Sequence, residues 1–103
     1  MAESLGYIDI PAAGTRVRLT TDTSLLAHAI FFQARAGNTG IIYIGSSTVA
    51  SNGTGMFAAL AVPTVNLYPA WAIGSASFPR VIQVSDFYVD TNVNGSDVLV
   101  AYH

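Results

Sequence analysis

VIQVSDFYVDTNVNGSDVLVAY, residues 81–102, alternates apolar and polar side chains, then breaks at a turn and resumes. Ile82 and Val84 oppose Val81 and Gln83, and further on Phe87 and Val89 oppose Asp86, Tyr88 and Asp90. A period of two is the signature of a half-buried strand. Asn94-Gly95 within NVNGSD (92–97) is a strong hairpin-turn dipeptide, so Val98 to Tyr102 is predicted to complete a C-terminal hairpin.

Working outward, the same grammar recurs. Leu5 to Ile10 reads as a first strand, stopped by Pro11 and the small residues after it. Arg16-Val17-Arg18-Leu19-Thr20 alternates, as an antiparallel strand with one wet face should. Ile41 to Ile44 is a short apolar run that fits a strand covered on both sides. Gly37-Asn38-Thr39-Gly40 before it supplies residues for a tight hairpin. Ser24 to Ala36 is ambiguous: Leu25-Leu26-Ala27 favours helix, Ile30-Phe31-Phe32 favours strand. Gly45 to Gly55 is a polar loop, Met56 to Val62 is apolar with little period, and Pro63, Pro69 and Pro79 punctuate the stretch beyond it. Short strands at close spacing predict an all-β fold: an antiparallel β-sandwich or jelly-roll-like barrel, in one domain over residues 1–103.

Composition narrows the function classes. Of 103 residues 51% are apolar and only 10% are charged, against about 25% charged in ordinary soluble domains. A domain this small cannot hide half its residues, so large apolar groups are expected outside, where contiguous patches mark interaction sites. Four Arg and no Lys make no basic stripe, so nucleic acid is not an expected partner. No apolar run reaches the ~20 residues of a bilayer span, and neither a membrane role nor a secretory signal is expected. With no Cys there is no thiolate chemistry.

Candidate chemistry is sparse. Asp90-Thr91-Asn92-Val93-Asn94-Gly95 opens like a calcium loop, but positions nine and twelve are Val98 and Ala101, where oxygen ligands are required. Gly53-Thr54-Gly55-Met56-Phe57-Ala58 fits a loose dinucleotide fingerprint without a preceding strand or the later acidic residue. Asn52-Gly53-Thr54 and Asn94-Gly95-Ser96 are formal glycosylation sequons that turn chemistry explains equally well. Asp86, Tyr88 and Asp90 would share a strand face, His28 sits on an apolar stretch, and His103 is terminal and expected to be mobile. No nucleophile, base and stabiliser combine, so no enzyme, metal or cofactor is expected. The segment with most unexplained apolar bulk carries Met56, Phe57, Leu67, Tyr68, Trp71 and Phe78, and these residues are the expected protein interface.

The stretches ARAGNTGIIYIGSSTV (34–49) and VSDFYVDTNVNGSDVLVAY (84–102) resemble a family of small phage and prophage virion proteins. In that family an NTG-x-IYVG segment precedes a polar loop, and a DIYVD…NG strand and turn lead into a short final strand. Asn38, Thr39, Gly40, Tyr43, Gly45, Asp86, Tyr88, Val89, Asp90, Asn94 and Gly95 carry the likeness. The resemblance implies a β-sandwich with Ser24 to Ala36 mainly strand. It also implies a capsid decoration (cement) protein that is made in the bacterial cytoplasm and bound to the major capsid protein at the capsid surface. A homo-oligomer is expected from the apolar excess; a three-fold assembly is implied by the resemblance alone. The segment from Met56 to Pro79 departs from the family pattern. A tail or fibre component, and a glycan-binding sandwich using Trp71 and Tyr68 as stacking platforms, are the rival readings.

Overall fold

The computed structural model describes residues 3–64, 67–74 and 81–103. Among them run ten strands: β1 Glu3–Ile10, β2 Val17–Arg18, β3 Leu26–Ala27, β4 Ala29–Ala34, β5 Ile42–Gly45, β6 Met56–Leu60, β7 Ala70–Gly74, β8 Ile82–Gln83, β9 Tyr88–Thr91 and β10 Ser96–Tyr102. The first sheet has the order β1-β10-β4-β7, the second β2-β9-β5-β6, and β3 pairs with β8 in a small third sheet. Every pairing is antiparallel. The pairs β1 with β10, β2 with β9, β4 with β7 and β5 with β6 are nested along the chain. A long ribbon, doubled back on itself and rolled across two sheets, has this connectivity, which is that of a jelly roll. The sheets form an open sandwich and do not close into a barrel.

Alternation decides which side chains meet between the sheets. On β4, Ile30, Phe32 and Ala34 are buried while Phe31 and Gln33 are exposed. On β10, Val98 and Val100 point inward. The second sheet answers with Ile42, Ile44, Leu60 and Val89, and Phe87 reaches Phe32 with ring centroids 6.4 Å apart. Each fully buried Val, Ile, Leu or Phe here contributes about 1.5–3 kcal/mol against leaving it in water. That burial resolves Ser24 to Ala36 in favour of strand, because β4 pairs on both sides and leaves no place for a helix.

Three local expectations are corrected. Neither turn flanking the ARAGNTG and NVNG motifs makes a hairpin: the segment before β5 links β4 to the opposite sheet, and the Asn94-Gly95 turn links β9 to β10 across the sandwich. A turn dipeptide specifies reversal, but each strand must still place its apolar face on the core, and here that requires crossing between sheets. The two arches lock together instead. The Ile41 N–H donates to Asn92 Oδ1 (2.8 Å), and Asn38 exchanges side-chain bonds with the backbone of Asp97 (2.6 and 3.0 Å). Gly40 sits in this seam, where a Cβ would lie 2.7 Å from Thr91 Oγ1.

The alternating run from Val81 to Asp90 is not one strand. A 3-10 turn over Val84–Asp86 interrupts it, carrying the chain from β8 to β9. Asp86 therefore does not share a strand face with Tyr88 and Asp90. His103 is not loose either: its N–H donates to Ala29 O (2.9 Å) and its carbonyl accepts from His28 N (2.7 Å), extending the β4–β10 ladder. The weak period of residues 56–62 has a cause as well. Phe57 is an extra residue in β6, between Met56 opposite Gly45 and Ala58 opposite Ile44, and such a bulge shifts the alternation by one.

Candidate functional site

The outer face of the first sheet is the unusual surface of this molecule. Along β10, Leu99 and Ala101 point away from the core, along β4 Phe31 and Gln33 do, and along β7 Ala70 and Ala72 do. Small side chains form the floor and Phe31, 41% exposed, stands at its middle. The result is a shallow apolar depression of about 520 Å³ lined by Phe31, Gln33, Ala70, Ala72, Leu99 and Ala101, with Phe32 and Trp71 beneath. A second hollow of about 260 Å³ shares Gln33 and Leu99 and extends the surface to Tyr7, Arg35 and Tyr68.

Charge gathers at one end of this face. Arg35 bonds Asp97 (2.6 Å) and lies over the Tyr7 ring at 4.5 Å from its centroid. Asp9 stands directly opposite Asp97 in the β1–β10 register. The Asp9 carboxyl is held above its ordinary value, first by a hydrogen bond with the Asp97 side chain, then by desolvation and by repulsion from Asp97.

The second sheet is different outside. Tyr43 faces Asp90 and Arg18 faces Tyr88 in register, with the Arg18 guanidinium 5.8 Å from the Tyr88 ring centroid. Arg18 Nε also donates to Ser85 O (2.6 Å), at the edge of a polar hollow lined by Ser46, Ser47 and Asp86.

The residues expected to form one interface are dispersed. Met56 and Phe57 are about half exposed on β6 of the second sheet, with Phe57 edge-on to Phe87 at 5.9 Å. Leu67 and Tyr68 are exposed just before β7, and only Tyr68 lines the first-sheet surface. Trp71 turns inward onto Phe32, ring centroids 5.8 Å apart. Phe78 lies outside the described residues. Sequence reading missed Tyr7, Phe31, Leu99 and Ala101. The signal is present: Ile30-Phe31-Phe32 and Val98 to Tyr102 are apolar in both phases, as strands covered on both faces are.

The residues of the calcium-like loop serve the fold. Asp90 Oδ1 accepts from Gly14 N (3.0 Å) and Thr91 N (2.8 Å), Asn92 Oδ1 from Ile41 N, and Asn94 Oδ1 from Ala13 N (2.7 Å). Among the described residues, no three His, Asp or Glu side chains gather where a metal ion could be held. The glycines of residues 53–55 lead into strand β6 rather than a helix, so the N-terminal helix dipole that a dinucleotide phosphate uses is lacking there. Comparison with family models, curated proteins and solved structures finds no match to this chain.

Proposed function

We propose that this chain is a structural virion protein, a capsid decoration (cement) protein that sets the outer face of its first sheet against the major capsid protein. The observation that carries this reading is that face itself. A sheet side that would otherwise lie in water presents Phe31, Leu99, Ala101, Ala70 and Ala72, with charge only at its end. A contiguous apolar patch on a sheet exterior supports an interaction site there. The resemblance of residues 34–49 and 84–102 to small phage virion proteins supplies the partner. Jelly rolls occur among viral capsid domains and lectins alike, so the fold is compatible with the reading and does not choose it. A glycan site is less well supported, because Trp71, its main stacking platform, packs on Phe32.

The test is binding to expanded shells of the phage that encodes this chain, compared with dissociated capsid subunits. Saturable, salt-tolerant binding to shells and much weaker binding to subunits is expected, since an apolar contact is little screened by salt. At 41% exposure Phe31 offers about 80 Å² for burial, worth about 2 kcal/mol. Phe31→Ala should therefore weaken shell binding about 30-fold, while Met56→Ala on the opposite sheet should leave it unchanged. Equal binding to free subunits, or localisation to tails in labelled virions, would replace this reading with a tail component.

A further inference from the structure

We infer that two copies of this chain pair through the open edge of β7, joining their first sheets into one continuous eight-stranded sheet. The hydrogen-bond phase of the sheet identifies the groups available. Ala29 exchanges bonds with His103 beyond the end of β10, whereas the Ala34 N–H donates to Pro69 O (2.9 Å) on the β7 side. Residues 29, 31 and 33 of β4 therefore bond toward β10, and 30, 32 and 34 bond toward β7. The β7 partners of Ile30 and Phe32 are Ile73 and Trp71, which leaves the N–H and C=O of Ala70 and Ala72 directed away from the sheet. Both residues are exposed, and among the described residues no backbone group bonds to them on that side.

Unpaired edges invite association, and proteins usually guard them with charge, a bulge or brevity. Among the described residues, three of the four outer edges of the two large sheets are guarded. The β1 register breaks between Ser4 and Gly6 and the strand carries Asp9, β2 has two residues, and β6 is bulged at Phe57. The β7 register is regular throughout, and no charged residue occurs from Ala36 to Pro79. That pattern selects a second copy as the occupant. Antiparallel pairing of β7 about a two-fold axis at Trp71 sets Ala70 of each copy against Ala72 of the other, so each edge supplies what its partner needs. An isologous contact of this kind closes on itself, and the guarded edges stop growth at two. The apolar depressions around Phe31 and Leu99 then lie side by side on one face.

This inference does not rest on the virion reading, and its experiment contains no capsid. Sedimentation equilibrium of the isolated chain at micromolar concentration should give twice the 10.8 kDa chain mass. Amide exchange at Ala70 and Ala72 should slow as concentration rises. Ala72→Pro removes an N–H that only the partner uses, so the variant should be folded and monomeric. Ala70→Lys keeps the N–H but adds an edge charge, and it should also be monomeric; it decides the matter if the proline variant fails to fold. A strictly monomeric wild type, a three-fold mass, or a dimer that survives Ala70→Lys with unchanged exchange at Ala72 would overturn the inference.

Discussion

Replacing Asp90 with Ala is expected to destabilise the fold by about 1–3 kcal/mol, and the structure explains why the figure is no larger. Asp90 is fully buried and its Oδ1 accepts two backbone N–H groups, those of Gly14 and Thr91. Thr91 is also fully buried, so deleting the carboxylate leaves its N–H without a partner, a penalty of about 1–3 kcal/mol. Gly14 is exposed and regains water, so its loss is small. Opposing both is Oδ2, buried with no partner among the described residues, whose desolvation the variant escapes. Asp90→Asn keeps the acceptor and should cost less than the Ala variant. Urea unfolding is the assay: the midpoint should fall with the slope unchanged, and the melting temperature should drop by about 4–8 °C per kcal/mol in a domain of this size. A change within about 0.5 kcal/mol would refute the clasp. So would a saturable rise of the wild-type midpoint with Ca²⁺ that Asp90→Ala abolishes, since a ligand that binds only the native state stabilises by mass action.

Trp71→Ala should lower stability by about 3 kcal/mol, read from thermal unfolding of isolated protein, because the ring packs on Phe32 at the edge of the core; an unchanged melting temperature would mean the indole is dispensable to the sandwich. Asp9 titrates higher in the folded chain than in the unfolded one, mainly through its bond to Asp97. The native state then binds more protons across that window, so its contribution to stability is present at low pH and is lost as pH rises through the folded value. Asp9→Asn should flatten this decline and gain stability at neutral pH relative to wild type, and a loss of equal size at every pH would contradict it.

The strands were legible in the sequence and their partners were not. Alternation at Leu5 to Ile10 and at Val98 to Tyr102 is local, and both became strands. Pairing is a matter of which face finds the core, and the Asn94-Gly95 dipeptide carries no information on whether β10 returns beside β9 or crosses to the other sheet. The 3-10 turn at Val84–Asp86 was hidden because alternation on its two sides happens to join smoothly. Asp90 looked like an ion ligand because side-chain oxygens before a Gly are what both a metal loop and a clasped arch require. The apolar face was hidden for a different reason. Large side chains at residues 56–78 stand out in the sequence because prolines, glycines and polar turn residues surround them, whereas Phe31 and Leu99 sit in strand-like apolar runs and pass as core.

The two sheets explain the composition better than a core alone could. Inner faces take Ile10, Ile30, Phe32, Ile42, Ile44, Leu60, Val89, Val98 and Val100, which is what any sandwich of this length needs. The second sheet carries Tyr43, Tyr88 and Arg18 along its exterior, with Met56 and Phe57 half exposed on its β6 edge. The first sheet differs: its exterior repeats the apolar character of its interior, in the strands β4 and β10 that are paired on both sides. In the isolated monomer Phe31 and Leu99 still leave apolar area in water that burial would stabilise at about 25 cal/mol per Å². In the function proposed above, a partner surface laid flat on the first sheet gives those side chains a use.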